Sequence, residues 1–308
     1  MSETKIKVIA VVGPTASGKS SLALSLAKQL NGEVVSCDSM QIYRGMDIGT
    51  AKASEAERAL VPHHMIDVAD PAENWSLAEF AEKAHEAIAD IAARGKLPVL
   101  GGGTGLDLDH ILFDTQLSEA PGDPAFRDSL AELTNEELHD RLAEVDPVSA
   151  EAIHMNNRRR VIRALEIYHT TGKTKSRWDA VSRQKTPRYD ALIIGLYASD
   201  RTYLYRRIED RVDEMVELGL VNEVERLAPR LGATAAQAIG YKEILRAVHG
   251  ECGMETAVED LKTATRRYAK RQMTWFGANS AIRWLDICQG SKEERLAAST
   301  ELINEFIG

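Results

Sequence analysis

Val8 to Leu30, VIAVVGPTASGKSSLALSLAKQL, reads as a strand, a tight turn and a helix. Val8 to Val12 is a short apolar run without alternation, the pattern of a strand covered on both faces in a parallel sheet. Ala23, Leu26, Ala27 and Leu30 share one stripe of the following helix. Between them Gly13, Pro14, Thr15, Ala16, Ser17, Gly18, Lys19 and Ser20 keep the spacing G-x-x-x-x-G-K-[ST] of a phosphate-binding loop. Glycines let successive backbone N–H groups curl round a phosphate, and the helix behind aims its positive end at the same point. Lys19 adds a mobile charge, and the Ser20 hydroxyl can hold Mg²⁺. The spacing predicts diphosphate or nucleotide phosphate binding and leaves the compound open.

A chain of 308 residues with 44% apolar side chains can bury one large core or two smaller ones, so about two domains are expected. No apolar run approaches the ~18 residues of a membrane helix, and the charged start MSETKIK leads into a strand rather than a signal sequence. A cytoplasmic protein without a membrane partner is expected. Cys37, Cys252 and Cys288 stand far apart with no CxxC pair, so they read as small apolar fillers. The net charge of −9 argues against general attraction to nucleic acid. Its distribution qualifies that: Asn156 to Arg211 has 14 Lys and Arg against 6 Asp and Glu, an excess of +8 that leaves −17 elsewhere. Lys262 to Arg271 adds five basic residues and no acidic one. Such patches suit a polyanion or a solvated basic face.

Glu33 to Cys37 reads as a second strand ending at Asp38. Ligands of open parallel sheets bind at carboxyl ends of strands, so Asp38 falls near the phosphate loop, as a base or as a turn cap. His63 and His64 are adjacent, face opposite ways in an extended segment and read as structural. Ser76 to Arg94 is an amphipathic helix closed by Gly95, and Lys96 to Leu100 a third strand leading into GGGTG. That run fails G-x-G-x-x-G at Leu106, so it reads as a backbone turn pressed against a ligand, with Thr104 offering a hydroxyl.

From Ser118 to Lys185 short helices take over, opened by Asp123 with Pro124 and by a Thr134–Glu137 capping box. The helix over Asn156 to Thr171 sets Val161, Ile162, Leu165 and Tyr168 on one side and Arg159, Arg160 and Arg163 on the other. Asp190 to Tyr197 returns to a strand. The next helix, Asp200 to Leu218, has an apolar stripe of Leu204, Ile208, Met215 and Leu218, with Arg211 inside it. An arginine there needs an anion, either a structural carboxylate or a bound phosphate. In Lys262 to Phe276 the row Lys262, Arg266 and Lys270 beside Tyr268, Trp275 and Phe276 suits RNA, whose bases stack on rings, or a helix with one buried and one solvated side. Gln289 to Gly308 reads as a terminal helix.

In order and spacing, GPTASGKS, DSMQIYRGMDIGTAK, PHHMIDV, GGTGL, NNRRRVIRALEIYHTTGKT, QAIGYKE and AKRQMTWF resemble the bacterial tRNA dimethylallyltransferases from about Val8 to Trp284. The resemblance implies an α/β fold, a P-loop NTPase-like parallel sheet over 1–117 and 189–308, with a helical tRNA-binding insertion at 118–188. It also implies transfer of a dimethylallyl group from dimethylallyl diphosphate to N6 of adenosine 37, beside the anticodon of tRNA, assisted by Mg²⁺. Asp38 matches the family's base. Lys19, the loop amides from Thr15 to Ser20, Thr104 and Arg211 match the groups that hold the departing pyrophosphate. The tRNA contacts map onto Asp38, Ser39, Met40, Gln41, Arg127, Arg159, Arg160, Arg163, Gln237, Gly240, Tyr241, Lys242, Lys270 and Arg271. A monomer binding the tRNA anticodon stem-loop is expected.

Two positions depart from the family: Asp107, followed by Asp109 and His110, stands where Tyr is usual, and Gly277 where a basic residue often follows TWF. Competing readings are a prenyltransferase for free adenine nucleotides, which leaves the Arg159 to Arg163 face unexplained, a small-molecule kinase, which lacks a nucleotide-base motif, and a non-catalytic RNA-binding protein.

Overall fold

The computed structural model describes residues 5–114, 122–182 and 186–308. It divides into two compact units, Met1–Leu112 with Arg188–Gly308, and Phe113–Pro187. The insertion is expected over 118–188; of these residues, 118–121 and 183–185 lie outside the described ones.

In the first unit Lys7–Val12 (β1), Gly32–Ser36 (β2), His63–His64 (β3) and Leu97–Gly101 (β4) alternate with Lys19–Gln29 (α1), Glu55–Leu60 (α2), Leu77–Ala93 (α3) and Gly105–Leu112 (α4). Capping boxes of Ser54 with Glu57 and Ser76 with Glu79 start α2 and α3, satisfying N–H groups that a helix start leaves orphaned. β2 begins at Gly32, opposite Leu97, one residue earlier than expected.

In the second unit Phe113–Asp114 (β5) pairs antiparallel with Thr186–Pro187 (β6). Between them lie Pro124–Ser129 (α5), Asn135–Val145 (α6), Pro147–Ala152 (α7), Arg158–Thr171 (α8) and Lys175–Ser182 (α9). Asp123 caps α5, and Thr134 with Glu137 caps α6. Leu130, Leu138, Leu142, Val161, Ala164 and Leu165 form the core of this unit. Tyr168, expected with the apolar side of α8, is exposed; Ile167 and Glu166 are buried instead.

The chain then completes the first unit with Asp190–Tyr197 (β7), Arg201–Glu217 (α10), Leu220–Leu227 (α11), Tyr241–Val248 (α12), Met254–Gly277 (α13), Arg283–Asp286 (β8) and Lys292–Ile307 (α14). On α10 the buried stripe is Leu204, Ile208 and Val212. Leu218, expected to extend that stripe, is 65% exposed, because the helix stops at Glu217 and Gly219 turns the chain with φ of 101°.

Six strands form one sheet in the order β3-β2-β4-β1-β7-β8, each neighbouring pair parallel. β1 lies between β4 and β7, with Ile9 opposite Val99 and Leu192. Val8 to Val12 are all buried, which explains the unbroken apolar run. Connections from β1 lead first to one side of it and later to the other, so the loop after β1 sits at the switch point where such sheets bind ligands.

Candidate active site

Gly13 has φ of 142°, and a side chain there would strike the Leu196 carbonyl of β7 at 2.5 Å, so glycine is required. Gly18, with φ of 92°, opens α1. Two of the amides expected to face phosphate are already used. Thr15 N–H donates to Gln272 Oε1 at 2.9 Å and Ser17 N–H to Pro14 O at 3.3 Å. Those of Ala16, Gly18, Lys19 and Ser20 have no partner among the described residues. The Ser17 hydroxyl is buried without a partner. Arg207 Nε braces the loop from α10 by donating to Ala16 O at 2.8 Å.

Asp38 lies beyond β2 beside the glycine turn, 3.9 Å at Cβ from where a side chain on Gly102 would begin. One carboxylate oxygen accepts Met40 N–H at 3.0 Å, so Asp38 is a turn cap as well as a candidate base. Its other oxygen has no protein partner among the described residues. Burial raises the Asp38 pKa, while the Met40 N–H, Lys19 and Arg211 oppose the rise. Lys19 Nζ donates to Pro14 O at 3.3 Å, and burial together with Arg211 pushes the ammonium down to about 8 although Asp38 pulls upward. Arg211 makes no ion pair among the described residues. Burial lowers its pKa and Asp38 and Glu214 raise it. Among the described residues no structural carboxylate claims this arginine, and Asp38, Lys19 and Arg211 share one field.

Thr104 starts α4. Its Oγ1 accepts Asp107 N–H at 3.0 Å, and its own N–H donates to Asp107 Oδ2 at 3.2 Å. Gln272 of α13 bridges two loops, since its Nε2 also donates to Gly103 O at 3.1 Å. Sequence reasoning passed over Gln272 as a site residue. The available signal was a polar side chain in register with the buried positions Thr265, Ala269 and Phe276 of α13. Trp275 packs on Gly105, where a side chain would meet its ring at 2.0 Å, and its Nε1 donates to Asp109 Oδ2 at 3.1 Å. Tyr268, also on α13, feels the charges of Asp38 and Asp107.

The residues expected at RNA sort into two kinds. Arg159, Arg160, Gln237, Lys242, Lys270 and Arg271 are exposed. Arg127 and Arg163 instead grip the fully buried Glu166: Arg127 Nε lies 2.7 Å from Oε1 and Arg163 Nη1 2.6 Å from Oε2, so Arg163 is not simply an outward cation. Tyr241 is completely buried. Its hydroxyl donates to Glu223 Oε1 at 2.5 Å, and Glu223 also accepts the N–H groups of Asp47, Ile48 and Gly49. Tyr241 therefore holds the Met46 to Thr50 turn and is out of reach of a macromolecule, a correction to its expected role. Gly240, with φ of 99°, is buried beside it. Gln41 donates to Thr50 O at 3.1 Å and accepts from Ser36 Oγ at 2.7 Å, leaving its side chain committed to the same turn. Lys262 and Arg266, expected in line with Lys270, pair with Asp213 and Glu209 of α10.

His64 lies 2.7 Å from the buried Glu33, and His63 Nδ1 2.8 Å from Val61 O, as structural residues would. No group of three His, Cys, Asp or Glu that could hold a metal occurs among the described residues. No helix among them is long and apolar enough to cross a membrane.

The family model for IPP transferase matches residues 41–279, and that for isopentenyl transferase residues 6–65. The chain belongs to the IPP transferase family. It is 47% identical over 307 residues to a tRNA dimethylallyltransferase of Geobacillus thermodenitrificans, covering 98% of this chain and 96% of that protein. A relative of the same name from Bacillus cytotoxicus is 50% identical over 293 residues, covering 93% and 92%. Among solved structures, a tRNA isopentenylpyrophosphate transferase of Bacillus halodurans superposes with a TM-score of 0.74 at 42% identity, over 98% of this chain and 97% of that one. The parallel sheet with its phosphate loop after β1, shared with a solved structure of this family, agrees with the P-loop NTPase-like expectation.

Proposed function

We infer that this chain is a tRNA dimethylallyltransferase: it moves a dimethylallyl group from dimethylallyl diphosphate to N6 of adenosine 37, next to the anticodon, giving N6-isopentenyladenosine and pyrophosphate. The observation that carries this reading is Asp38 set in one field with Lys19 and Arg211, one Asp38 oxygen and the Arg211 guanidinium having no partner among the described residues. A base beside phosphate cations would also serve a kinase; the relatives' names support prenyl transfer over phosphate transfer, and tRNA over free nucleotide as acceptor.

The adenine amino group is a weak nucleophile because its lone pair is delocalised. As N6 bonds to C1 of the dimethylallyl group, the C1–O bond breaks and pyrophosphate leaves with the electron pair. The N6 proton passes to the open oxygen of Asp38. Charge growing on pyrophosphate meets Lys19, Arg211, the Thr104 hydroxyl and the amides of Ala16, Gly18, Lys19 and Ser20, groups already oriented before reaction. Ser17 adds a hydroxyl with no other partner. The donor set for Mg²⁺ here is the exposed Ser20 hydroxyl with diphosphate and water oxygens, which suits an ion that keeps its waters and arrives with phosphate. Held there, Mg²⁺ would neutralise charge on the leaving group.

For the RNA, the exposed Arg159 and Arg160 of the helical unit and Lys270 and Arg271 of α13 supply phosphate contacts. The target base leaves its stack at a cost of a few kcal/mol, smaller in a loop than in a duplex. The chain acts as a monomer. Incubation of the purified protein with dimethylallyl diphosphate, Mg²⁺ and unmodified tRNA, followed by nucleoside mass analysis, should yield a prenylated adenosine. Prenylation of AMP or ATP in preference to tRNA, or phosphate transfer from ATP, would overturn the reading.

A further inference from the structure

Asp107 is the least expected residue of the site, a buried carboxylate where the resembled family usually carries Tyr, yet it is well used. It stands at the third position of α4, and with Thr104 it builds a capping box. Thr104 N–H donates to its Oδ2 at 3.2 Å, and its own N–H donates to Thr104 Oγ1 at 3.0 Å. The same Oδ2 accepts from Ser39 Oγ at 3.4 Å, and Ser39 directly follows Asp38. Because Thr104 Oγ1 is already an acceptor from behind, its proton is free to be donated elsewhere. Asp107 is 5% exposed, too enclosed to touch a substrate.

We propose that Asp107 is a positioning residue for the transfer, tying the Thr104 loop to the Asp38–Ser39 turn through one carboxylate oxygen. This rests on Asp38 and Thr104 having the roles given above. The short carboxylate at this position orients the Thr104 hydroxyl through the capping box. The groups facing the carboxylate are Asp38 and Cys37 beyond β2 and Tyr268 of α13. α3, which also packs on α4, buries Phe80, Ala81, Ala84, Ile88 and Ile91 and no charged side chain. Burial first, and Asp38 after it, raises the Asp107 carboxyl to about 6. Oδ1 has no partner among the described residues, so a proton taken up there leaves Oδ2 an acceptor and the tie in place.

The test compares Asp107→Ala, Asp107→Asn and Ser39→Ala in single-turnover assays with saturating tRNA and dimethylallyl diphosphate. Asp107→Ala should lower the rate about 30-fold, with the KM of both substrates within about 3-fold of wild type. Asp107→Asn keeps an acceptor oxygen and should restore most of the rate. Ser39→Ala should cost little more when added to Asp107→Ala than nothing at all, because the two act through one bond. An unchanged rate in Asp107→Ala overturns the proposal. So does a folded Asp107→Asn variant whose rate is more than about 10-fold below wild type, a readout available even if the alanine variant does not fold. A wild-type chain that prenylates no tRNA would instead remove the underlying reading, which separates the two failures.

Discussion

Asp38 and Lys19 feel each other's charge and carry opposite perturbations, and each gives the reaction a pH limb. Asp38 must be deprotonated to accept the N6 proton, and burial raises its pKa above the ordinary value. The rate should therefore fall on acidification at a higher pH than a solvated aspartate near ~3.9 would give. Asp38→Asn should leave tRNA affinity within about 3-fold and cut product formation by ~100-fold or more. Near-normal turnover would dismiss Asp38 as the base. Lys19, pushed down to about 8 by burial and by Arg211, is cationic below that pH and neutral above it. Pyrophosphate affinity measured by calorimetry between pH 7 and 9.5 should drop as pH rises through about 8, and Lys19→Met should remove that step.

Glu166 shows what the helices do for the site and why part of it was hidden. Burial opposes its ionisation, yet the hydrogen bonds of Arg127 and Arg163 and the Asp123 N–H hold its carboxyl down to about 2. A depressed folded-state pKa means that the stabilisation is complete above the unfolded value of ~4.3 and is lost as pH falls through about 2. Glu166→Gln should cost the helical unit about 3 kcal/mol at pH 7 in urea unfolding, by leaving two arginines without their anion. The difference from wild type should shrink between pH 4.5 and 2. No helical wheel finds this, because the 3.6-residue period places Arg163 outward without revealing that Glu166, three residues on, is buried. The strand, turn and first helix of the phosphate loop were legible because local spacing alone defines them. Gln272 was not, since it meets Thr15 from 257 residues away. Nor was the burial of Tyr241, which depends on Glu223 gathering three amides of the distant Asp47 to Gly49 segment. Short elements such as α2, β3 and α4 escaped because six, two or eight residues show too little period to read.

Over the whole molecule the charges are sorted by task. A net charge of −9 repels RNA in general, so attraction has to come from cations that the protein has not already spent internally. Arg158 is spent on the carbonyls of Leu130, Ala131 and Leu133, Arg266 on Glu209 and Lys262 on Asp213. Arg159 and Arg160 are exposed with no ion pair among the described residues. Each phosphate contact releases about one counterion, so log Kd against log salt should be steep, and the double variant Arg159→Ala, Arg160→Ala should reduce its slope by about 1.5. Arg127→Ala, whose guanidinium is held by Glu166, should lower stability and alter that slope much less. Filter binding of an anticodon stem-loop between 50 and 300 mM KCl measures both. Equal slopes for wild type and the double variant would mean that the exposed arginines of α8 form a solvated face, and that the grip on tRNA lies in α13 alone.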